Sequence, residues 1–128
     1  MSKTALYIVA ALLLAAVAIF HSLAMEYQLY WTYRRWLDIP AHLLSGLVIG
    51  LTCSIFFAGR YSFPTTGALV LMAILFIGGA WEVIEYYAGI TALSYSPTFD
   101  TAKDILNDTL GAMLGFLMVR FLYNGKRA

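Results

Sequence analysis

The sequence predicts an all-α, polytopic membrane protein: a bundle of four transmembrane helices forming one domain over residues 1–128. Two observations carry this. First, 62% of the residues are hydrophobic and only 12% are charged, against about 25% charged and 45–50% apolar in an ordinary soluble domain. A soluble chain this short buries only about two-thirds of its unfolded surface, so it could not hide that much apolar area. Second, four stretches approach or exceed the roughly 20 mostly apolar residues that cross a 30 Å hydrocarbon core. A net charge of +1 gives no electrostatic footprint for DNA or RNA, so no nucleic-acid partner is expected. The lone Cys53 offers neither a disulfide framework nor a CxxC metal motif.

The stretches are Thr4–Ala24, Pro40–Ala58, Thr65–Ala88 and Thr101–Tyr123. Within lipid each must be helical, because no solvent there satisfies an unpaired backbone group. The first follows Lys3 and ends near Ser22 and Ala24, in the manner of a signal peptide. Its apolar run exceeds the usual 7–15 residues, so it is read as a retained anchor. Tyr27–Trp36, rich in aromatic rings and arginine, suits a connection at the membrane–water interface. Pro40 suits the first turn of the second helix, where its missing N–H costs nothing, and Asp100 suits the N-cap of the fourth. Gly59 and Gly89 fit helix C-termini, and Pro64 and Pro97 mark loops.

With four spans both termini share a side. That side carries Lys3, Arg60, Arg120, Lys126 and Arg127, against Arg34, Arg35 and Lys103 on the other. The positive-inside rule then puts the termini in the cytoplasm of an inner (plasma) membrane.

Antiparallel spans bring the ends of the first and third helices beside the starts of the second and fourth. His21 closes the first span, Asp38 and His42 open the second, Glu82 and Glu85 close the third, and Asp104, Asn107 and Asp108 open the fourth. All fall at one membrane face, and the opposite half has almost no ionisable side chain. Glu82 and Glu85 are three apart, and Asp104 and Asp108 four apart, so each pair shares a helix face. Gly111 and Gly115 continue the Asp104–Asp108 stripe, and Gly46 and Gly50 form a second GxxxG. Small residues at this spacing let membrane helices approach closely.

Five carboxylates and a histidine in one small mouth repel one another. Proton sharing, pairing with His42, Arg34, Arg35 or Lys103, or a bound cation would relieve this. A divalent metal suits the donor set: carboxylate and imidazole together for zinc, manganese or iron, carboxylates alone for magnesium or calcium. Asp38, His42, Glu82, Glu85, Asp104 and Asp108 are the candidate metal ligands, with Asn107 and His21 as supporting groups behind them. Two other readings remain open. The residues could form a purely structural network, with Asp38 and Asp104 complementing helix N-termini, or they could line a proton or cation path.

The segments Asp38-Ile-Pro-Ala-His42, Trp81-Glu-Val-Ile-Glu85 and Asp104-Ile-Leu-Asn-Asp-Thr-Leu-Gly111-Ala-Met-Leu-Gly115 resemble the VanZ-like and YjdF-type small membrane proteins. The Trp81 and Asp104 segments are more similar to the YjdF type. The resemblance covers three of the four helices. It implies the same architecture and the same polar residues without supplying a reaction.

No GxSxG, HExxH or Walker motif is present. Ser22, Ser45, Ser54 and Ser62 have no evident His/Asp partners, and the Arg- and His-rich set of a PAP2-type phosphatase is missing. The expectation is an extracytoplasmic polar pocket that binds a metal and acts on a lipid headgroup or lipid-linked envelope precursor, with a metal-bound water as nucleophile. The alternatives are a structural or partner-binding subunit, including a homo-oligomer, and a proton or cation transporter.

Overall fold

The computed structural model describes residues 1–88 and 96–123, the side chains of residues 30–35 excepted. Four helices follow one another: α1 (Lys3–Glu26), α2 (Leu29–Phe57), α3 (Phe63–Tyr87) and α4 (Pro97–Leu122). No strand is present among the described residues. Each helix is long and apolar enough to cross a membrane. The expected four-helix membrane bundle is therefore the fold.

Local chemistry explains the boundaries, and several differ from expectation. Ser2 caps α1 by accepting from the Ala5 N–H at 3.2 Å. Only Tyr27 and Gln28 separate α1 from α2, and Gln28 makes the reversal possible in the left-handed region, at φ 52°. The expected interfacial connection is thus mostly helix. Pro40 lies inside α2 rather than in its first turn. Its ring removes the hydrogen bond to the Trp36 carbonyl, a loss that membrane helices tolerate. Ser62 caps α3, so Pro64 falls in the first helical turn instead of a loop. Pro97 likewise opens α4, and the Asp100 N–H already donates to the Ser96 carbonyl at 3.0 Å. Asp100 is therefore a first-turn residue and not the N-cap. Gly59 follows α2 at φ 78°, the left-handed conformation expected of a helix stop. Gly89, expected to end the third helix, and Lys126 and Arg127, which entered the orientation count, lie outside the described residues.

α2 and α4 form the most extensive helix pair, with α1 packed on α2 and α3 on α4 and α2. The α2–α4 contact is made by interlocking glycines. A Cβ at Gly46 would collide with the Asp108 carbonyl, one at Gly50 with the Ala112 carbonyl, one at Gly111 with the Leu43 carbonyl and one at Gly115 with the Leu47 carbonyl. Without side chains at these points the backbones touch. Such contacts matter in lipid, where burial of apolar surface provides no net drive between helices. Two apolar clusters complete the packing. Leu6 and Ala10 of α1 meet Leu51 and Ile55 of α2 and Val119 of α4. Val70 and Ile74 of α3 meet Ala112 and Phe116 of α4. The many exposed apolar side chains, among them Leu12, Ile19, Phe76, Ile84 and Phe121, are those a hydrocarbon solvent accommodates.

The two ends of the bundle differ in charge. At the end holding both termini of the described chain, Lys3 donates to the Ala58 carbonyl and lies over the Tyr123 ring, Arg60 over Phe56 and Arg120 over Phe63. The acids gather toward the other end.

Candidate metal centre

Six of the seven acidic residues of the chain converge between α2, α3 and α4. Asp38 and His42 stand one turn apart on α2. Their side chains are buried, as are Glu82 on α3 and Asp100, Asp104 and Asp108 on α4. The buried stripe of α4 runs Asp100, Asp104, Asp108, Gly111, Ala112 and Gly115, an i, i+4 progression that turns acidic and then small. The small half seats α4 against α2 and thereby presses its acidic half onto His42.

Two basic side chains sit among these acids. The Lys103 ammonium donates to Asp38 Oδ2 at 2.8 Å and Asp100 Oδ1 at 2.9 Å, and stands 3.3 Å from Asp104 Oδ1. The His42 imidazole pairs through Nδ1 with Asp108 Oδ1 at 3.3 Å. Its Nε2 lies 3.6 Å from Asp38 Oδ1 and 3.9 Å from Asp104 Oδ2. Asp104 is thus shared, one oxygen toward the lysine and the other toward the histidine. Of the pairings expected to relieve repulsion, those with His42 and Lys103 are present. The side chains of Arg34 and Arg35 lie outside the described residues.

Glu82 is left over. It is 6% exposed; neither carboxylate oxygen makes a direct hydrogen bond among the described residues, and the Thr101 hydroxyl is a donor close by. Glu85, half-buried one turn on, accepts from Trp81 Nε1 at 2.9 Å. His42, Glu82, Glu85 and Asp104 each offer a ligand atom, and these atoms lie within 4.8 Å of one another. Donors around a first-row divalent ion with bonds near 2.1 Å stand about 3–4 Å apart, so the four side chains would draw inward to hold one. A second group, Asp38, Asp100 and Asp104, meets the same distance criterion. That space, however, contains the Lys103 ammonium.

The remaining expected residues fall as follows. Asp108 belongs to neither ligand group; it holds His42 Nδ1 and lies about 16 Å along α4 from Pro97, deeper than a mouth position. Its other oxygen faces Gly78, where an added Cβ would come within 2.9 Å. His21 makes an edge contact with Trp81, 6.4 Å between ring centroids, and so stands behind the Trp81–Glu85 hydrogen bond. Asn107 is half-buried on α4 and makes none of the cluster's contacts. Sequence reasoning assigned no ligand role to Asp100, reading it as a cap, although its i−4 relation to Asp104 extends the acidic stripe.

Residues 2–125 match the family described as "Predicted membrane protein (DUF2238)". The chain belongs to the DUF2238 family. No curated protein and no solved structure matches it. In this DUF2238 member the described residues form a buried, acid-rich chamber with an internal lysine, a histidine and a glutamate that makes no direct hydrogen bond among them.

Proposed function

We propose that this multi-pass membrane protein is a divalent-cation-binding protein whose ion is held by His42, Glu82, Glu85 and Asp104. The observation that carries the reading is Glu82. A buried carboxylate with no direct hydrogen bond and only the neutral Thr101 hydroxyl close by is costly in a low-dielectric setting, and a cation between it and its three neighbours would offset that cost. The imidazole favours manganese, iron or zinc over magnesium and calcium, which take oxygen ligands. Asp108 would orient His42 from behind, and Trp81 would do the same for Glu85.

In this reading the ion also gives the chamber its chemistry. Six carboxylates repel a phosphate-bearing headgroup, whereas a metal that takes more than these four ligands, such as manganese or iron, would attract one and would acidify a bound water. A lipid headgroup or lipid-linked precursor is the corresponding ligand class. The YjdF-type resemblance agrees with membership of the family; the metal and the ligand rest on the residues alone. Orientation follows the same logic. Lys103 is engaged with acids inside the bundle, so it drops out of the loop-charge comparison, and the Lys3, Arg60 and Arg120 end is assigned to the cytoplasm of the inner membrane. A proton or cation path is disfavoured, since Ser54 and Thr66 are the buried polar residues outside the acidic cluster among the described residues.

The test is elemental analysis of protein purified without chelators, followed by thermal unfolding with manganese or zinc and with EDTA. One ion per chain and a metal-dependent rise in melting temperature, both lost in Glu82→Gln, are expected. No stoichiometric ion and the same melting temperature in metal and EDTA would overturn the reading.

A further inference from the structure

The chamber contains two carboxylate groupings that share Asp104, and they differ in one respect. Around Asp38, Asp100 and Asp104 an ammonium is already in place: Lys103 Nζ lies 2.8, 2.9 and 3.3 Å from one oxygen of each. Around His42, Glu82, Glu85 and Asp104 no ammonium stands among the described residues, and both Glu82 oxygens are buried with no direct hydrogen bond among them, the neutral Thr101 hydroxyl being close by. Asp104, 1% exposed, turns Oδ1 to the lysine and Oδ2 to the histidine side. Among the described residues Asp104 Oδ1 makes no hydrogen bond, and its contact with Lys103 is ionic, at 3.3 Å. The layout is that of a carboxylate-bridged two-cation site in a helix bundle, with a side-chain ammonium standing in one of the two positions.

We propose that Lys103 is a built-in second cation: it fills the Asp38–Asp100–Asp104 position and restricts the chamber to one divalent ion, held on the His42–Glu82–Glu85 side. This rests on the metal-binding reading above and adds the stoichiometry and the residue that sets it. Two features favour a fixed ammonium over an exchangeable ion in that position. Lys103 is anchored one turn from Asp100 on the same helix, so its placement needs no partner from solution. Its three carboxylates come from α2 and α4, the pair whose glycines hold the backbones in contact. Removing the charge while keeping the side-chain bulk leaves three acids around a vacated position, which a second ion can take.

The experiment counts manganese by elemental analysis and records its electron paramagnetic resonance in wild type, Lys103→Met and Lys103→Arg, each purified and titrated with manganese in detergent. Wild type and Lys103→Arg are expected to bind one ion with the spectrum of an isolated centre. Lys103→Met is expected to bind two, with the exchange-coupled spectrum of ions about 3.5–4 Å apart. Two ions in wild type, or a single ion in folded Lys103→Met, would overturn the proposal while leaving the metal centre standing. No ion in any of the three would instead overturn the underlying reading, and this proposal with it. If Lys103→Met does not fold, wild type under excess manganese decides: one uncoupled ion supports the proposal and a coupled pair refutes it.

Discussion

Adding a single methyl group to the α2–α4 seam should damage both the fold and the chamber. At Gly46 a new Cβ would lie 2.8 Å from the Asp108 Cα and closer still to its carbonyl; at Gly111 it would lie 2.7 Å from the Leu47 nitrogen. Ordinary carbon–carbon contacts are about 3.5–4.0 Å, so the helices must part by about 1 Å. Overpacking of this kind costs about 1–3 kcal/mol. Alanine's better helix propensity returns less than about 1 kcal/mol of that. The same displacement lengthens the His42–Asp108 contact from 3.3 Å past the roughly 4 Å limit of an ion pair. Gly46→Ala and Gly111→Ala should each lower stability by about 1–2 kcal/mol, measured by unfolding in mild detergent and followed by circular dichroism. Combined, they should cost less than the sum by more than about 0.5 kcal/mol, because a seam opened by one methyl group already admits the other. Gly79, whose Cβ would meet nothing within 4 Å, supplies the contrast: Gly79→Ala should be neutral or slightly stabilising. If Gly46→Ala and Gly111→Ala unfold like Gly79→Ala, the close-contact account of the fold is wrong.

Other consequences are open to measurement. Manganese at about a hundred times its dissociation constant should add about 2.7 kcal/mol to wild-type stability; in His42→Asn calorimetric unfolding should show no such gain. Trp81→Phe removes the 2.9 Å hydrogen bond to Glu85 but keeps the ring, so metal affinity should fall about 10–100-fold by isothermal titration with little change in apo stability. Leu6→Ala, in the cluster that ties α1 to α2 and α4, should cost about 2–4 kcal/mol by chemical unfolding and leave metal stoichiometry unchanged.

The architecture was legible because each span is an apolar run long enough to cross lipid, and that signal survives any error in the ends. The ends were less legible, for chemical reasons. Proline is compatible with a loop, with a first helical turn and with a membrane-helix interior. Pro64 and Pro97 took the second of these and Pro40 the third. Asp100 could cap a helix or lie within its first turn. Once Pro97 opened α4, only the second was left, and the aspartate joined the buried stripe. The convergence of Asp38, His42, Glu82 and Asp104 followed from antiparallel spans alone. The division of labour among them did not. Which carboxylate Lys103 pairs with, which nitrogen of His42 faces Asp108 and which glutamate makes no direct hydrogen bond among the described residues depend on helix rotation and rotamers, and no residue spacing encodes these.

The tightest helix pair is also non-sequential: α3 lies between α2 and α4 in the chain. As synthesis proceeds, Asp38, His42 and Glu82 enter the bilayer before the segment bearing Lys103 and the Gly111–Gly115 surface exists. Until α4 docks, Asp38 lacks Lys103 and His42 lacks Asp108. Assembly should accordingly be cooperative at its last step. A nascent chain cut short before α4 is an expected substrate for membrane quality control rather than a stable fragment.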